Sequence, residues 1–305
     1  MKTYIICVGI STLDKVWPVA ELPVSGGKYR STDYFELGGG MAANAAVAVS
    51  RLGGVASYWG RAGDDPAGHA MKNEMAAYGV DVENFRLHQD AKSSISAVIV
   101  SHDGERVIVN YPGTGLLADA SWLPLQQVQS ASAVHADVRW VEGTTAVYSM
   151  ARSHGIPTVL DGETANRNAF SKILPLTDHA IFSEPGLRSF IGDPSLDRTS
   201  YPAVLEKVRA LGCRVAAVTR GADGILWHDE TGMHEQAAFA VDVVDTTGAG
   251  DVFHGAYALA LGERQDVASA MRFSSAVSAL KCTRPGGRAG IPTREEVEAF
   301  LAEHG

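Results

Sequence analysis

Short apolar runs recur along the chain, each followed by a loop or a segment of helical period: 4–10 (YIICVGI), 131–137 (ASAVHAD), 158–162 (TVLDG), 179–184 (HAIFSE) and 214–221 (RVAAVTRG). Strands apolar on both faces and alternating with helices are what a parallel sheet covered on both sides requires. The pattern therefore predicts an α/β core. Two regions depart from it. Residues 14–36 and 93–111 alternate polar and apolar positions, as strands with one solvated face do, and His102-Asp103-Gly104-Glu105 has the composition of a hairpin turn. They predict antiparallel strands, either as one small sheet standing off the core or as edge strands of the main sheet. No repeat, low-complexity stretch or proline- or serine-rich linker divides the chain, so residues 1–305 read as one domain with a discontinuous appendage.

Composition narrows the function classes. With 46% hydrophobic and 20% charged residues the chain is not a disordered one. The 26 Lys and Arg against 35 Asp and Glu leave a net charge of −9, which disfavours general attraction to nucleic acid or an anionic membrane. An anionic ligand would have to be held by local cations. Cys7, Cys213 and Cys282 lie far apart with no CxxC or zinc-finger spacing, so neither a disulfide framework nor a zinc site is indicated, and a reducing cytoplasmic setting is expected. Asp14 and Lys15 interrupt the apolar N-terminal run and no small-residue cleavage site follows, so that run reads as a first strand rather than a signal peptide. No apolar stretch reaches the roughly 18 residues that suggest a membrane span.

The chain has 32 glycines against 12 prolines, and the glycines gather at two helix starts. In 243–262 (VVDTTGAGDVFHGAYALALG) a strand-like run leads through Thr246-Thr247-Gly248-Ala249-Gly250-Asp251 into a helical run. Glycines there leave the first N–H groups of the helix unobstructed, and the helix dipole adds partial positive charge, which suits a phosphate. Asp251 would repel a bound phosphate unless it does chemical work. It is either a general base taking a proton from an attacking hydroxyl or a helix cap, and its spacing alone is compatible with both. There is no GxxxxGK[ST] phosphate loop, no complete dinucleotide glycine fingerprint, and no GxSxG or HExxH. In 37–54 (LGGGMAANAAVAVSRLGG), Gly38, Gly39 and Gly40 precede a helix of small residues with Asn44 one turn in. Small residues admit a ligand or a second backbone, and the Asn44 amide offers a donor and an acceptor to a polyol; close helix–sheet packing is the alternative.

Taken together these segments resemble the ribokinase-like (PfkB) carbohydrate kinases across nearly the whole chain. The resemblance rests on Gly9 followed by Asp14, on GGGMAANAA, on GRAGDDPAG (60–68), on VTRGADG (218–224) and on DTTGAGD, in that order. It implies a three-layer α/β core with a mainly parallel sheet and a small β-sheet lid, approximately 14–36 and 93–111. It further implies ATP with magnesium as the phosphoryl donor, and a sugar as acceptor. Asp251 would be the base, with the backbone of Gly248, Ala249 and Gly250 forming the anion hole. Asp14, Gly39, Gly40 and Asn44 would hold sugar hydroxyls. Ser183, Thr219, Gly221, Gly224, Cys282 and Gly287 would lie at the nucleotide, with a potassium-type monovalent cation near 279–292. The lid would close over the sugar and join two copies as a homodimer. In place of the family's usual NxxE, which helps organise magnesium, the chain has Ser183-Glu184-Pro185-Gly186, leaving Glu184 as an offset candidate for the metal.

Three polar residues that the generic fold does not need fall near the expected cleft: Lys28 in the first lid segment, Asn110 at the end of the second, and Arg139 after a buried-looking strand. Arginine at the C-terminal end of such a strand points to the usual ligand crevice and pairs well with an oxyanion. Residue type alone equally allows a solvated lysine, a turn asparagine and a surface ion pair. The strings around them, with FSEPGL and ALKCTRPGGRAGIP, resemble the bacterial sulfofructose kinases, in which the matching Lys, Asn and Arg bind a sulfonate. The expected reaction is phosphorylation of the 1-hydroxyl of 6-deoxy-6-sulfofructose. A kinase for a phosphorylated ketose or a neutral sugar is the alternative, and a sugar sensor without catalysis a more distant one.

Overall fold

The computed structural model describes residues 2–102 and 105–304. The first half of the chain runs β1 (Tyr4–Gly9), β2 (Thr12–Val19), β3 (Phe35–Gly39), α1 (Met41–Arg51), β4 (Val55–Gly63), α2 (Pro66–Ala77), β5 (Phe85–His88), β6 (Ile95–Ser101), β7 (Arg106–Tyr111), β8 (Ala133–Asp137) and α3 (Val141–Ser153). The second half runs β9 (Thr158–Gly162), α4 (Arg167–Ile173), β10 (His179–Ser183), α5 (Glu184–Ile191), α6 (Tyr201–Arg209), β11 (Val215–Thr219), β12 (Ile225–Asp229), β13 (Gly232–Gln236), α7 (Ala249–Gly262), α8 (Val267–Cys282) and α9 (Arg294–Glu303).

The main sheet is β13-β12-β11-β10-β9-β8-β1-β4-β5. Its strands from β5 through β11 are parallel, and β12 and β13 extend one edge antiparallel. Alternate residues of each strand feed two cores, as the apolar runs predict. Ile5 and Cys7 pack with Ala45, Val49, Phe253 and Tyr257 on one face; Ile6 and Val8 pack with Trp59, Tyr148, Phe170 and Leu205 on the other. This is a three-layer α/β architecture. The chain order reverses at β1, which has β4 on one side and β8 on the other, and the crevice beyond such a switch point is where open α/β sheets bind ligands.

The small residues of α1 have a packing purpose. Gly255 of α7 lies directly against the Ala45 backbone, so the two helices run in close contact. Both begin at glycines, Gly40 and Gly248, and their N-termini are thereby brought to the same end of the sheet.

The second sheet is separate, in the order β3-β2-β6-β7. The expected antiparallel pairing holds for β2 with β3 and for β6 with β7, but the central pair β2–β6 is parallel, Leu13 opposite Ile95 through Val19 opposite Ser101. Both strands leave the main body in the same direction, which sets that pairing. Strand structure also does not run through 14–36. Residues 20–34, containing Pro23, Gly26 and Gly27, are irregular and largely exposed, because this stretch cannot sustain a ladder. Of the expected turn at 102–105, Asp103 and Gly104 lie outside the described residues. Among the described residues no helix is long and apolar enough to cross a membrane.

Candidate active site

Gly248 adopts φ 74°, ψ 7°, a left-handed conformation that glycine adopts without a steric penalty, and α7 starts immediately after it. The first turn leaves the N–H groups of Gly250 and Asp251 without an intrahelical acceptor. A side chain at Gly248 would place its Cβ 3.4 Å from Asn44 Nδ2 and 3.7 Å from Asp251 Oδ2, so this N-terminus and the carboxylate face one space.

Asp251 is held by a chain of buried groups. Asn44 Nδ2 donates to Asp251 Oδ2 at 2.7 Å, and Asn44 Oδ1 accepts from Arg288 Nε at 2.8 Å. Arginine only donates, so Arg288 fixes which end of the Asn44 amide faces Asp251. Arg288 is itself buried; it reaches Glu74 Oε2 at 3.0 Å and the Gly39 carbonyl at 3.1 Å. Sequence reading placed Asn44 on the sugar. Its amide is oriented by the carboxylate and by Arg288, with one Nδ2–H spent on Asp251 and the second still open to a ligand. Burial pushes the Asp251 carboxyl above the ordinary carboxylate range, opposed by the Asn44 hydrogen bond and by the charges of His254 and Arg288.

Behind Asp251 lies a second buried group. His254 Nδ1 is 2.7 Å from the Gly250 carbonyl and 3.5 Å from Asp161 Oδ2, and Nε2 is 3.2 Å from the Ile181 carbonyl. Both ring nitrogens thus face acceptors. Burial raises the Asp161 carboxyl, while His254 lowers it. His135, with its ring centroid 6.0 Å from that of His254, is held neutral by burial and by the neighbouring His254 charge.

On the other side of Asn44, the strand end carrying Gly39 lies so close to Asp14 that a Cβ there would come within 2.6 Å of Asp14 Oδ2. Asp14 hydrogen-bonds Ser96 of β6, and Ser96 Oγ accepts from Asn110 Nδ2 of β7 at 3.2 Å. Asp14, Gly39, Gly40, Asn44, Asn110 and Asp251 are therefore gathered along one polar wall that crosses from the core to the small sheet. Burial raises the Asp14 carboxyl, with Ser96 and Arg288 pulling it down. Lys28 sits on the exposed 20–34 stretch and makes no hydrogen bond or ion pair among the described residues. Arg139 is exposed just past β8, its backbone N–H bonded to Asp137 Oδ1 at 2.8 Å. The structure does not join these two cations to the wall.

Asp137 is a residue that sequence reading missed. Fully buried at the end of β8, it also accepts from the backbone N–H groups of Ile10 at 2.8 Å and Ala42 at 3.2 Å. It thereby ties the exit of β1 to the start of α1. The signal available was an aspartate ending the mostly apolar run AVHAD. Arg106 of β7 was missed as well; its guanidinium reaches Thr247 Oγ1 at 2.7 Å, so the small sheet touches the loop before α7.

A cleft of about 550 Å³ opens on the far side of that loop. Thr219, Gly221, Gly224, Ala249, Gly250 and Cys282 all line it, together with apolar groups such as Ile225, Phe239 and Val243. An apolar slot ending at a helix N-terminus suits a base and its phosphates. Ser183 and Gly287 do not line it. The Ser183 hydroxyl caps α5 by accepting from the Gly186 N–H at 3.0 Å, and Gly287 belongs to the turn that delivers Arg288 to Asn44. Glu184 is also occupied, since Arg198 takes both carboxylate oxygens, at 2.7 and 3.0 Å, and Tyr201 donates to Oε1.

The sequence pattern of the pfkB family carbohydrate kinases matches residues 2–294. The chain belongs to the pfkB carbohydrate kinase family. Among curated relatives, a ribokinase of Bacillus subtilis is 30% identical over 97% of this chain and 99% of its own. An ATP-dependent ribose-1-phosphate kinase of Halopiger xanaduensis is 27% identical over 98% of both chains. A solved structure from Agrobacterium tumefaciens, provisionally named a ribokinase, superposes with TM-score 0.93 at 35% identity, over 99% of this chain and 98% of that one. As a pfkB kinase the chain is an ATP-dependent sugar kinase that uses magnesium with its nucleotide. No group of three or more metal-ligating side chains occurs among the described residues; magnesium used with a nucleotide generally keeps several waters and binds through phosphate oxygens. Glu184, the carboxylate the sequence offered for that ion, is tied up by Arg198. When bound with ATP, magnesium would supply positive charge to offset the negative charge on the transferring phosphoryl group.

Proposed function

We propose that this kinase transfers the γ-phosphoryl of ATP to the 1-hydroxyl of 6-deoxy-6-sulfofructose. Asn44 engages Asp251 Oδ2, leaving Oδ1 to accept the proton of the attacking hydroxyl. The N–H groups at the start of α7 receive the charge that builds on the phosphoryl oxygens. Asp14 and Gly39 fit the middle of the sugar. The observation that carries the choice of sugar is the polar wall. It continues past Asp14 through Ser96 to the Asn110 amide, and on this proposal Lys28 and Arg139, two exposed cations that stand apart from the wall, would be drawn to this end by the bound sugar. Donors and cations at the end of the sugar farthest from Asp251 suit an anionic substituent. Each charge-assisted contact contributes roughly 1.5–3 kcal/mol, about one to two decades of kcat/KM.

The same groups would accept a phosphate, and the Halopiger relative is named for a phosphorylated sugar. A phosphorylated ketose is therefore the second reading. The deciding experiment compares kcat/KM for sulfofructose, fructose 6-phosphate, fructose and ribose. The proposal expects sulfofructose to exceed fructose by at least about tenfold, and that advantage to vanish in Arg139→Ala and Asn110→Ala. Equal rates on fructose and sulfofructose would overturn it. The small sheet would act as a lid, and its exposed apolar strand β7, with Val107, Ile108 and Val109 open to solvent, supports a homodimer formed through it.

A further inference from the structure

Lys281, in the last turn of α8, has no solvent-exposed surface. Its ammonium donates to the Asp245 carbonyl at 2.7 Å and lies 3.5 Å from Asp245 Oδ2. Asp245 opens the loop that ends in Gly248 and α7. Its carboxylate also accepts from the N–H groups of Thr247 at 2.8 Å and Gly286 at 2.9 Å, and its own N–H, with that of Val244, bonds the Cys282 carbonyl. The anion-hole loop and the segment that follows α8 are thus laced together around one positive charge. A lysine near a helix end commonly caps that helix's own carbonyls. Here the acceptors belong to a different loop, so capping does not account for the contact.

The family resemblance puts a potassium-type cation beside 279–292. Such an ion would be held by loop carbonyl and carboxylate oxygens converging on a single charge, and the Asp245 carbonyl and carboxylate already converge on the Lys281 ammonium. The residues therefore do not fit a resident potassium ion at this point. We propose that Lys281 is a tethered replacement for a monovalent cation: it neutralises Asp245 beneath the phosphoryl-binding N–H groups and holds the loop in register, so the enzyme does not depend on potassium. An unneutralised Asp245 carboxylate would oppose the negative charge arriving at the start of α7. Lys281 is a positioning residue, since it acts through the loop and not on substrate.

The proposal rests on the kinase activity alone, not on the sulfonated substrate, and its test uses whichever sugar the enzyme phosphorylates best. Wild-type kcat and the melting temperature with ADP bound are measured in KCl, NaCl and tetramethylammonium chloride at equal ionic strength. Both are expected to be the same in all three, and a several-fold potassium stimulation of kcat, or a melting temperature raised by potassium alone, would overturn the proposal. Lys281→Ala is expected to lose about ten- to a hundredfold in kcat. It should recover in KCl, NH4Cl or methylammonium chloride but not in tetramethylammonium chloride, and its ADP-bound melting temperature should rise with the same ions. A folded Lys281→Ala enzyme with undiminished kcat, or one that no small cation restores, would also overturn it. If that variant does not fold, the wild-type salt series decides.

Discussion

Asp251 and Asn44 are a buried hydrogen-bonded pair, and in the proposed reaction the first would do the chemistry and the second would aim it. Asp251→Asn is expected to lower kcat about 10²–10⁴-fold with nucleotide binding intact, and an unchanged kcat would remove it from the base role. The pH dependence carries the sign of its environment. A base works only when deprotonated, and burial raises the Asp251 carboxyl, so the acid limb of kcat/KM should fall at a higher pH than an ordinary carboxylate would give. The Asn44 hydrogen bond favours the ionised form. Asn44→Ala should therefore move that limb to still higher pH, besides lowering kcat about tenfold at neutral pH. An acid limb left in place would show that Asn44 does not act on Asp251. Both residues were legible in the sequence because each follows a run of glycines at a helix start. Arg288, Asp137 and Lys281 were not, because a lone charge within an apolar or glycine-rich stretch has no spacing that reveals its partner, and each partner lies far away in the chain.

At the scale of elements, the strands apolar on both faces predicted the parallel sheet, and the alternation in 93–111 predicted β6 and β7. The parallel pairing of β2 with β6 was not legible, since the register of two strands some eighty positions apart depends on where each leaves the main sheet. The residues that line the cleft beside α7 were largely legible, Thr219, Gly221, Gly224 and Cys282 all among them, whereas Ser183, at the cap of α5, and Gly287 lie outside it. The close approach of β3 to β2 yields a direct test. A methyl group at Gly39 would crowd the Asp14 carboxylate, so Gly39→Ala should lower kcat/KM for the sugar about 10- to 100-fold while leaving the KM for ATP unchanged. A matching loss for ATP would point instead to a general collapse of the α1 start.

For the whole molecule, the exposed face of β7 is the feature that the monomer leaves unexplained. Val109 is 66% exposed and Ile108 53%, on an edge strand of a sheet that stands off the core. An open apolar edge of this kind invites pairing with another chain. Sedimentation should find a dimer for the wild type, and Val109→Asp should shift it toward monomer by at least about tenfold in dissociation constant. A wild-type monomer at micromolar concentration would remove the lid-mediated dimer.

Two buried or capped carboxylates sit where the small sheet leaves the body. Asp137 grips the Ile10 N–H at 2.8 Å, just before β2, and Asp65 grips the Ser93 N–H at 2.9 Å and its hydroxyl at 2.6 Å, just before β6. A flap pinned at two points resembles a door on two hinges: it can swing about the line joining them but has little freedom to slide along it. Asp14, Ser96 and Asn110 all ride on that flap, so a swing would carry the three together with their spacing unchanged, and in the proposed complex the far end of the sugar would be measured against a ruler built into the sheet itself.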